Sequence, residues 1–299
     1  SVRRSLKNDP EDEDLKRRKS ELEAAAKELS SRIEAFGVYA PPKTQEANGY
    51  ASPTPVTDGK AVYAVFGTGV VVAYDMNGNR MWGHRIENPP HKEWGMSSSP
   101  VLADGVLVVH MDFLYGFDAQ TGRQVWKVKV PWSWGTAVPA KVGDTWVVFT
   151  AKGNIVRVSD GKVLVEKLLE LDYNGPTIHG DVIHYTQHNG RAYRLPDSFS
   201  EDMKLEELWQ TKITKDRYYA CPLIHDGLVY AITRYNEMAV LDASTGRTVY
   251  ERKMDLGKGT VYQSITLAGG YLFVATENGT TIVMKPGREY VEVARNILE

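Results

Sequence analysis

The chain is poor in the features that most simply announce a function. It has one cysteine, Cys221, so no intrachain disulfide can form and a disulfide-built scaffold is excluded, with cytosol and periplasm both left open. No run of 18 apolar residues occurs, so no segment reads as a membrane-spanning helix. Thirty-six basic against 38 acidic residues leave a formal charge of −2, which supplies no basic field for nucleic acid. There is no glycine-rich phosphate loop ahead of a helix, and no nucleophile, base and orienter set at interpretable spacing. The chain opens on Ser1 without an initiator Met or signal-peptide pattern, so its start reads as a cleavage product, a boundary set within a longer chain, or the first ordered residue.

What is present is repetition. Ser98 to Val130 reads as four short strands separated by three turns. Asp104-Gly105 is a two-residue hairpin signal. Val106 to Met111 is apolar and β-branched, and Leu114 to Asp118 alternates as a half-buried strand does. Gln120 to Arg123 forms the third turn, and the last strand carries Trp126. The unit recurs six times, with tight turns at Asp58-Gly59, Asp104-Gly105, Gly143-Asp144, Gly180-Asp181, Asp226-Gly227 and Gly269-Gly270. A period of about 42 residues, four strands per unit and a terminal aromatic predict an all-β β-propeller of four-stranded antiparallel blades. Pro55, Pro100, Pro139, Pro176 and Pro222, with Ile265 in the sixth unit, mark the entry to each innermost strand, a place that needs no backbone donor. The sixth unit reads as ending near Val293. Ala294 to Glu299 then reads as the approach to a seventh blade, leaving either a six-blade closure or a longer ring.

The segments SPVLADGVLVVHMDFLYGFDAQTGRQVW and CPLIHDGLVYAITRYNEMAVLDASTGRTVY resemble the repeats of the pyrroloquinoline-quinone-like propeller family, whose blades end in Asp-x-x-Thr-Gly-x-x-x-Trp. Asp118, Thr121, Gly122 and Trp126 match in full, and Asp242, Thr245 and Gly246 match with Tyr250 replacing Trp. Asp75, Gly78 and Trp82 keep a shortened form, and the fourth unit keeps mainly Trp209. The similarity spans about residues 48 to 299. More narrowly, the stretch from Tyr50 to Trp82 resembles secreted propellers common in planctomycetes.

Residues 1–47 divide off as a charged helix and a proline-containing linker, ahead of a propeller at 48–299. Residues 9 to 36 predict the helix, with Asp9 as cap and Pro10 in the first turn. Acid-first pairs such as Asp12 with Lys16, Glu13 with Arg17 and Asp14 with Arg18 would support it. Leu15, Leu22, Leu29 and Phe36 recur every seven residues, and Ile33 extends the stripe. This face would lie on the propeller, take a protein partner or a coiled-coil helix, or belong to an exposed spacer.

Just before each innermost strand stands an aromatic residue: Tyr50, Trp94, Trp134, Tyr173, Tyr219 and Tyr262. If the units superpose, these six converge on one mouth of the central channel, where they could stack on a ligand or grip an extended peptide; the alternative is packing between blades. Polar candidates are weaker. Arg157 and Arg194 could bind an anion, and His179 and His225 read as turn geometry. His184 with His188, and His110 with Asp112, lack a third metal ligand.

Two classes of function compete. Similarity to outer-membrane-assembly propeller lipoproteins implies a non-catalytic scaffold, periplasmic or extracellular, presenting rim loops and the helix to protein partners. The quinoprotein resemblance implies a dehydrogenase holding pyrroloquinoline quinone between a Trp and a vicinal disulfide, with calcium nearby. One cysteine and six units depart from that pattern, so neither quinone nor calcium is expected. A glycan-binding mouth is a third reading. The scaffold is the reading adopted, with no enzyme activity, nucleic-acid partner, metal or cofactor expected.

Overall fold

A computed structural model describes residues 12–35, 44–45, 48–86 and 94–298. The chain divides into two units, Ser1–Pro42 and Lys43–Glu299.

The first unit is the helix α1, Glu13–Ala35. Asp12 Oδ1 accepts the Leu15 N–H at 2.9 Å, which is N-cap geometry and satisfies one of the helix's free donors. The expected cap Asp9, with Pro10, lies outside the described residues, as do Phe36 and the side chain of Ile33. The ion pairs differ from the expected register. Lys16 meets Glu13 at 2.8 Å, and Arg17 meets Asp14 at 2.9 Å and Glu21 at 3.9 Å. All are exposed and individually worth little. Leu15 is half-buried, whereas Leu22 and Leu29 are each 55% exposed.

The second unit contains six four-stranded antiparallel sheets, each connected up and down. They are β1–β4 (Val56–Arg85), β5–β8 (Val101–Val128), β9–β12 (Val138–Val165), β13–β16 (Thr177–Lys212), β17–β20 (Leu223–Lys253) and β21–β24 (Thr266–Ile297). The Asp104-Gly105 turn shows why that dipeptide recurs: both residues take positive φ, 49° and 72°, the geometry that matches strand twist in a two-residue hairpin. Innermost strands stand side by side in sequence order, β1 with β5, β5 with β9, β9 with β13 and β13 with β17. Five buried clusters lie between successive sheets, joining first to second, second to third, and so on to the sixth. The core is thus a series of sheet-on-sheet layers rather than one central mass.

The terminal aromatic is the wedge in these layers. Trp82, Trp126 and Trp209 each face a small residue across their own sheet, Ala73, Gly116 and Ala192. A Cβ on Gly116 would lie 2.2 Å from the Trp126 ring, so glycine is required to admit the indole. Each indole then enters the turn of the next sheet. Its N–H donates to the carbonyl of Ala119 (2.9 Å), Val158 (2.6 Å) or Ala243 (2.8 Å). The turn glycines Gly122, Gly161 and Gly246 leave the room, since a Cβ on any of them would come within 2.8 Å of the ring. The motif's Asp and Thr fold the turn itself: Asp118 Oδ1 accepts the Thr121 N–H at 2.8 Å and its hydroxyl at 2.7 Å.

One sequence expectation is corrected at the last strand. β24 runs Val291–Ile297, and Ala294, Arg295, Asn296 and Ile297 pair with Val283, Ile282, Thr281 and Thr280. These residues complete the sixth sheet instead of approaching a seventh. An outermost strand is held by hydrogen bonds along one edge and needs no apolar alternation, so Arg295 and Asn296 are compatible with it.

Candidate functional site

The segments that enter the innermost strands share one rim with the hairpin turns between second and third strands. On the fifth sheet the two are tied directly: the Arg234 N–H donates to the Arg217 carbonyl at 2.8 Å, and the Val261 N–H donates to the Arg234 carbonyl at 3.1 Å. Neighbouring entry segments are joined in the same way. Thr54 N–H donates to Ser99 Oγ (2.9 Å), Cys221 N–H to Ser264 Oγ (3.1 Å) and Gly175 N–H to Cys221 Sγ (3.4 Å). The lone cysteine is therefore a structural acceptor, and burial pushes its thiol pKa up.

Four of the six aromatics meet on this rim. Trp134 stacks on Tyr173 (centroids 5.7 Å, planes 19° apart), Tyr173 meets Tyr219 edge-on (5.1 Å, 82°), and Tyr219 stacks on Tyr262 (5.1 Å, 16°). Trp132, which sequence reasoning passed over, joins edge-on to Trp134 at 4.4 Å. The rings are half-buried except Tyr262, which is 50% exposed. Tyr173, Tyr219 and Tyr262 are true repeat equivalents, each three residues before Pro176, Pro222 or Ile265. Tyr50 and Trp94 are not, standing five residues before Pro55 and six before Pro100. No ring contact links either of them to the ladder among the described residues. The Tyr50 carbonyl accepts the Gly67 N–H at 2.7 Å, and Trp94 is exposed with its carbonyl bonded by Asn48.

Two arginines complete the patch. Arg217 Nη1 donates to the Tyr219 hydroxyl at 3.3 Å, and its guanidinium carbon lies 5.4 Å from the Tyr173 ring centre. Arg234 lies 4.2 Å over Tyr235, and its Nε donates to Asp216 Oδ1 at 3.1 Å. The hydrogen bond to Tyr219, with Tyr173 beside it, holds Arg217 above its ordinary pKa. For Arg234, partial desolvation pulls down, but Tyr219, Tyr235 and Asp216 outweigh it and the net direction is up. Both therefore stay charged, and cation–aromatic contact fixes where they point. The only sequence signal for this was the run Asp216-Arg217-Tyr218-Tyr219 beside Arg234-Tyr235.

The other candidates have structural partners. Arg157 is ion-paired with Asp160 and Glu201, and Arg194 with Asp181 (3.6 Å) and Glu206 (2.8 Å), so neither guanidinium is offered to an anion. His225 meets Asp226 beside the tight turn at 3.2 Å. His184 packs against Trp209, while His188 Nδ1 bonds the Ile213 carbonyl at 2.5 Å. Burial pushes His110 and His184 down to about 4, so both are neutral at pH 7. Asp112 accepts the Tyr115 hydroxyl at 2.8 Å. Among the described residues no three His, Cys, Asp or Glu side chains come together as a metal cluster.

A family model described as outer membrane protein assembly factor BamB matches residues 110–198 and 205–287, more than half of the chain. The chain belongs to that family. The crystal structure of BamB from Moraxella catarrhalis is similar at 16% identity and a TM-score of 0.62, covering 82% of this chain and 76% of that one. The computationally designed Ika8 protein is similar at 13% identity and 0.57, covering 81% and 73%. Hsv2p of Kluyveromyces lactis is similar at 11% and 0.51, covering 78% and 74%. These likenesses establish the β-propeller fold. No curated protein matches the chain at a significant level. No described helix is long and apolar enough to cross a membrane.

Proposed function

We propose that the protein is a non-catalytic binding scaffold, acting in the periplasm or outside the cell, whose rim grips an extended acidic segment of a protein partner. The observation that carries this reading is the ladder Trp134, Tyr173, Tyr219 and Tyr262 capped by Arg217 and Arg234, with Asp216 the one carboxylate bonded to the pair among the described residues. Flat rings held by stacking and edge-on contact offer contact area at little cost in side-chain entropy. Two fixed guanidiniums beside them favour carboxylates, which they can engage through paired N–H donors. Membership of a family described by an outer-membrane assembly factor supports both the protein partner and the compartment. The helix α1, with Leu22 and Leu29 more than half exposed, offers a second apolar stripe for such a partner.

The quinoprotein alternative fits these residues poorly. A vicinal disulfide cannot be made from Cys221, whose sulfur already accepts the Gly175 N–H, and the described carboxylates do not gather into a calcium site. No reaction step is assigned to the chain.

The test is fluorescence anisotropy with a labelled ten-residue peptide alternating Asp with Phe, beside a version with Lys for Asp. The Asp peptide should bind and weaken with salt, and Tyr219→Ala or Arg217→Ala should each weaken it about tenfold or more. Equal binding of both peptides, or indifference to both substitutions, would overturn the acidic-segment reading. A glycan array giving a signal lost in Tyr219→Ala would replace it with sugar binding, and saturable binding of pyrroloquinoline quinone would revive the dehydrogenase.

A further inference from the structure

Helix α1 carries its leucines at a fixed interval of seven, Leu15, Leu22 and Leu29. A straight helix drifts by about 20° over each such interval, so a stripe kept at seven stays in line when the helix coils around another helix. Taken as the d positions of a heptad, the leucines place Lys19 and Ala26 at a, Lys16 and Glu23 at e, and Arg18 and Arg32 at g. The outward positions hold the ion pairs of Arg17 with Asp14 and Glu21, at 2.9 and 3.9 Å. Leu22 and Leu29 are each 55% exposed, and every residue from 20 to 32 is exposed, so the stripe is open to solvent there. A helix of this kind draws most of its stability from whatever covers its apolar face.

The charges beside the stripe say what covers it. In a parallel two-stranded coil each g position faces the e position five residues further along the other helix. Arg18 then meets Glu23 of a second copy, and symmetry forms that contact twice. With one helix reversed and the two Glu13–Ala35 spans fully overlapped, like meets like: Glu23 faces Glu23, and Arg18 faces Arg32. Lys19 stands at a, within the seam, and a lone polar residue there fixes register and strand number at some cost in stability.

We propose that α1 pairs in parallel with α1 of a second copy of this chain, as a two-stranded coiled coil seamed by Leu15, Leu22 and Leu29 and oriented by Arg18 against Glu23. This names the partner of the helix stripe, which the scaffold reading leaves general, and it stands apart from the rim. The pair carries two rims, so a partner with two acidic segments gains avidity. That consequence alone rests on the rim reading.

The test is light scattering on the full chain at about 100 µM. The mass should be close to twice that of one chain. Glu23→Arg should return it to one chain, since Arg18 then faces a like charge, and adding Arg18→Glu to Glu23→Arg should restore the pair. Orientation is read with Leu22→Cys in a Cys221→Ser background held in a glutathione redox buffer. Position 22 meets itself in the parallel pair, so the two chains should cross-link, whereas fully overlapped reversed helices place position 22 opposite Ala26. A one-chain mass at that concentration overturns the proposal. A Tm lowered by Leu22→Asp would then assign the stripe to the chain's own second unit, and an unchanged Tm would assign it to a different protein. A pair that survives Glu23→Arg, or that does not cross-link through position 22, also overturns it. Binding of the acidic peptide, counted per chain, should be equal in the parent and in Glu23→Arg, so failure of the pairing leaves the rim reading standing.

Discussion

Phe117 and Tyr74 hold the same place in consecutive repeats, and so do Gly122 and Gly78, yet one pair is sealed beneath a neighbouring sheet and the other faces solvent. The strands pair alike in both and an aspartate folds each turn, Asp118 through Thr121 and Asp75, in a turn one residue shorter, through Asn77 and Asn79. What differs is the presence of a tryptophan arriving from the preceding sheet. A repeat of this type therefore fixes its own hydrogen bonding locally, but it gains its burial only from a neighbour. The largest expected effect removes that neighbour's contribution. Trp126→Ala deletes a buried indole, empties the space opposite Gly116 and leaves the Val158 carbonyl without its donor. A loss of about 3–5 kcal/mol is expected in urea unfolding. Tyr74→Ala should cost less than about 1 kcal/mol, and equal losses would show that the two repeats are packed alike.

The glycines make the same comparison at smaller scale. Gly122→Ala adds a Cβ 2.5 Å from the Trp82 ring to a backbone at φ +73°, so strain and overpacking combine to about 2–4 kcal/mol. Gly78→Ala meets only the backbone strain, about 1–2 kcal/mol. The difference between the two urea midpoints isolates the tryptophan's presence, and no difference would show that the two turns are packed alike.

Much of this was legible in the sequence because the repeat is built from local chemistry. Asp-Gly turns, strand alternation and the Asp-x-x-Thr-Gly signature each act within a few residues, so spacing alone located six sheets. Tyr173, Tyr219 and Tyr262 were found for the same reason, sharing one offset from the strand entry. Trp134, Tyr50 and Trp94 stand five, five and six residues before their prolines, and of these only Trp134 reaches the ladder, through Tyr173, so the offset alone does not decide which entry-segment ring joins it. Arg217 and Arg234 could not be found by spacing, since they meet only where the entry segment crosses the turn between β18 and β19. The end of β24 was missed because an outermost strand carries no apolar alternation to mark it.

The buried histidines test whether the sealed layers respond as units to pH. His110 and His184 lie in the second and fourth sheets with pKa about 4 in the folded chain, against about 6.5 when unfolded. Between those values the unfolded chain binds protons that the folded chain refuses, so stability falls as pH drops below about 6.5 and continues falling toward pH 4. From pH 6.5 to 5 the loss is on the order of 1–2 kcal/mol for each histidine. His110→Leu should flatten that part of the urea-stability profile, and an unchanged slope would show that His110 is reached by water.

The smallest effect is expected where two sheets already use different atoms for one task. Ser99, Cys221 and Ser264 each accept an N–H from the preceding entry segment, at 2.9, 3.4 and 3.1 Å. Cys221→Ser makes the fifth sheet resemble the second and sixth and exchanges a weak sulfur acceptor for a hydroxyl. The hydroxyl is smaller and more polar, so a better bond opposes a slightly looser fit. A net change within about 1 kcal/mol is expected from urea unfolding. A larger loss would mean that the thiol contributes as a packed apolar group, and that the links between entry segments are not interchangeable around the rim.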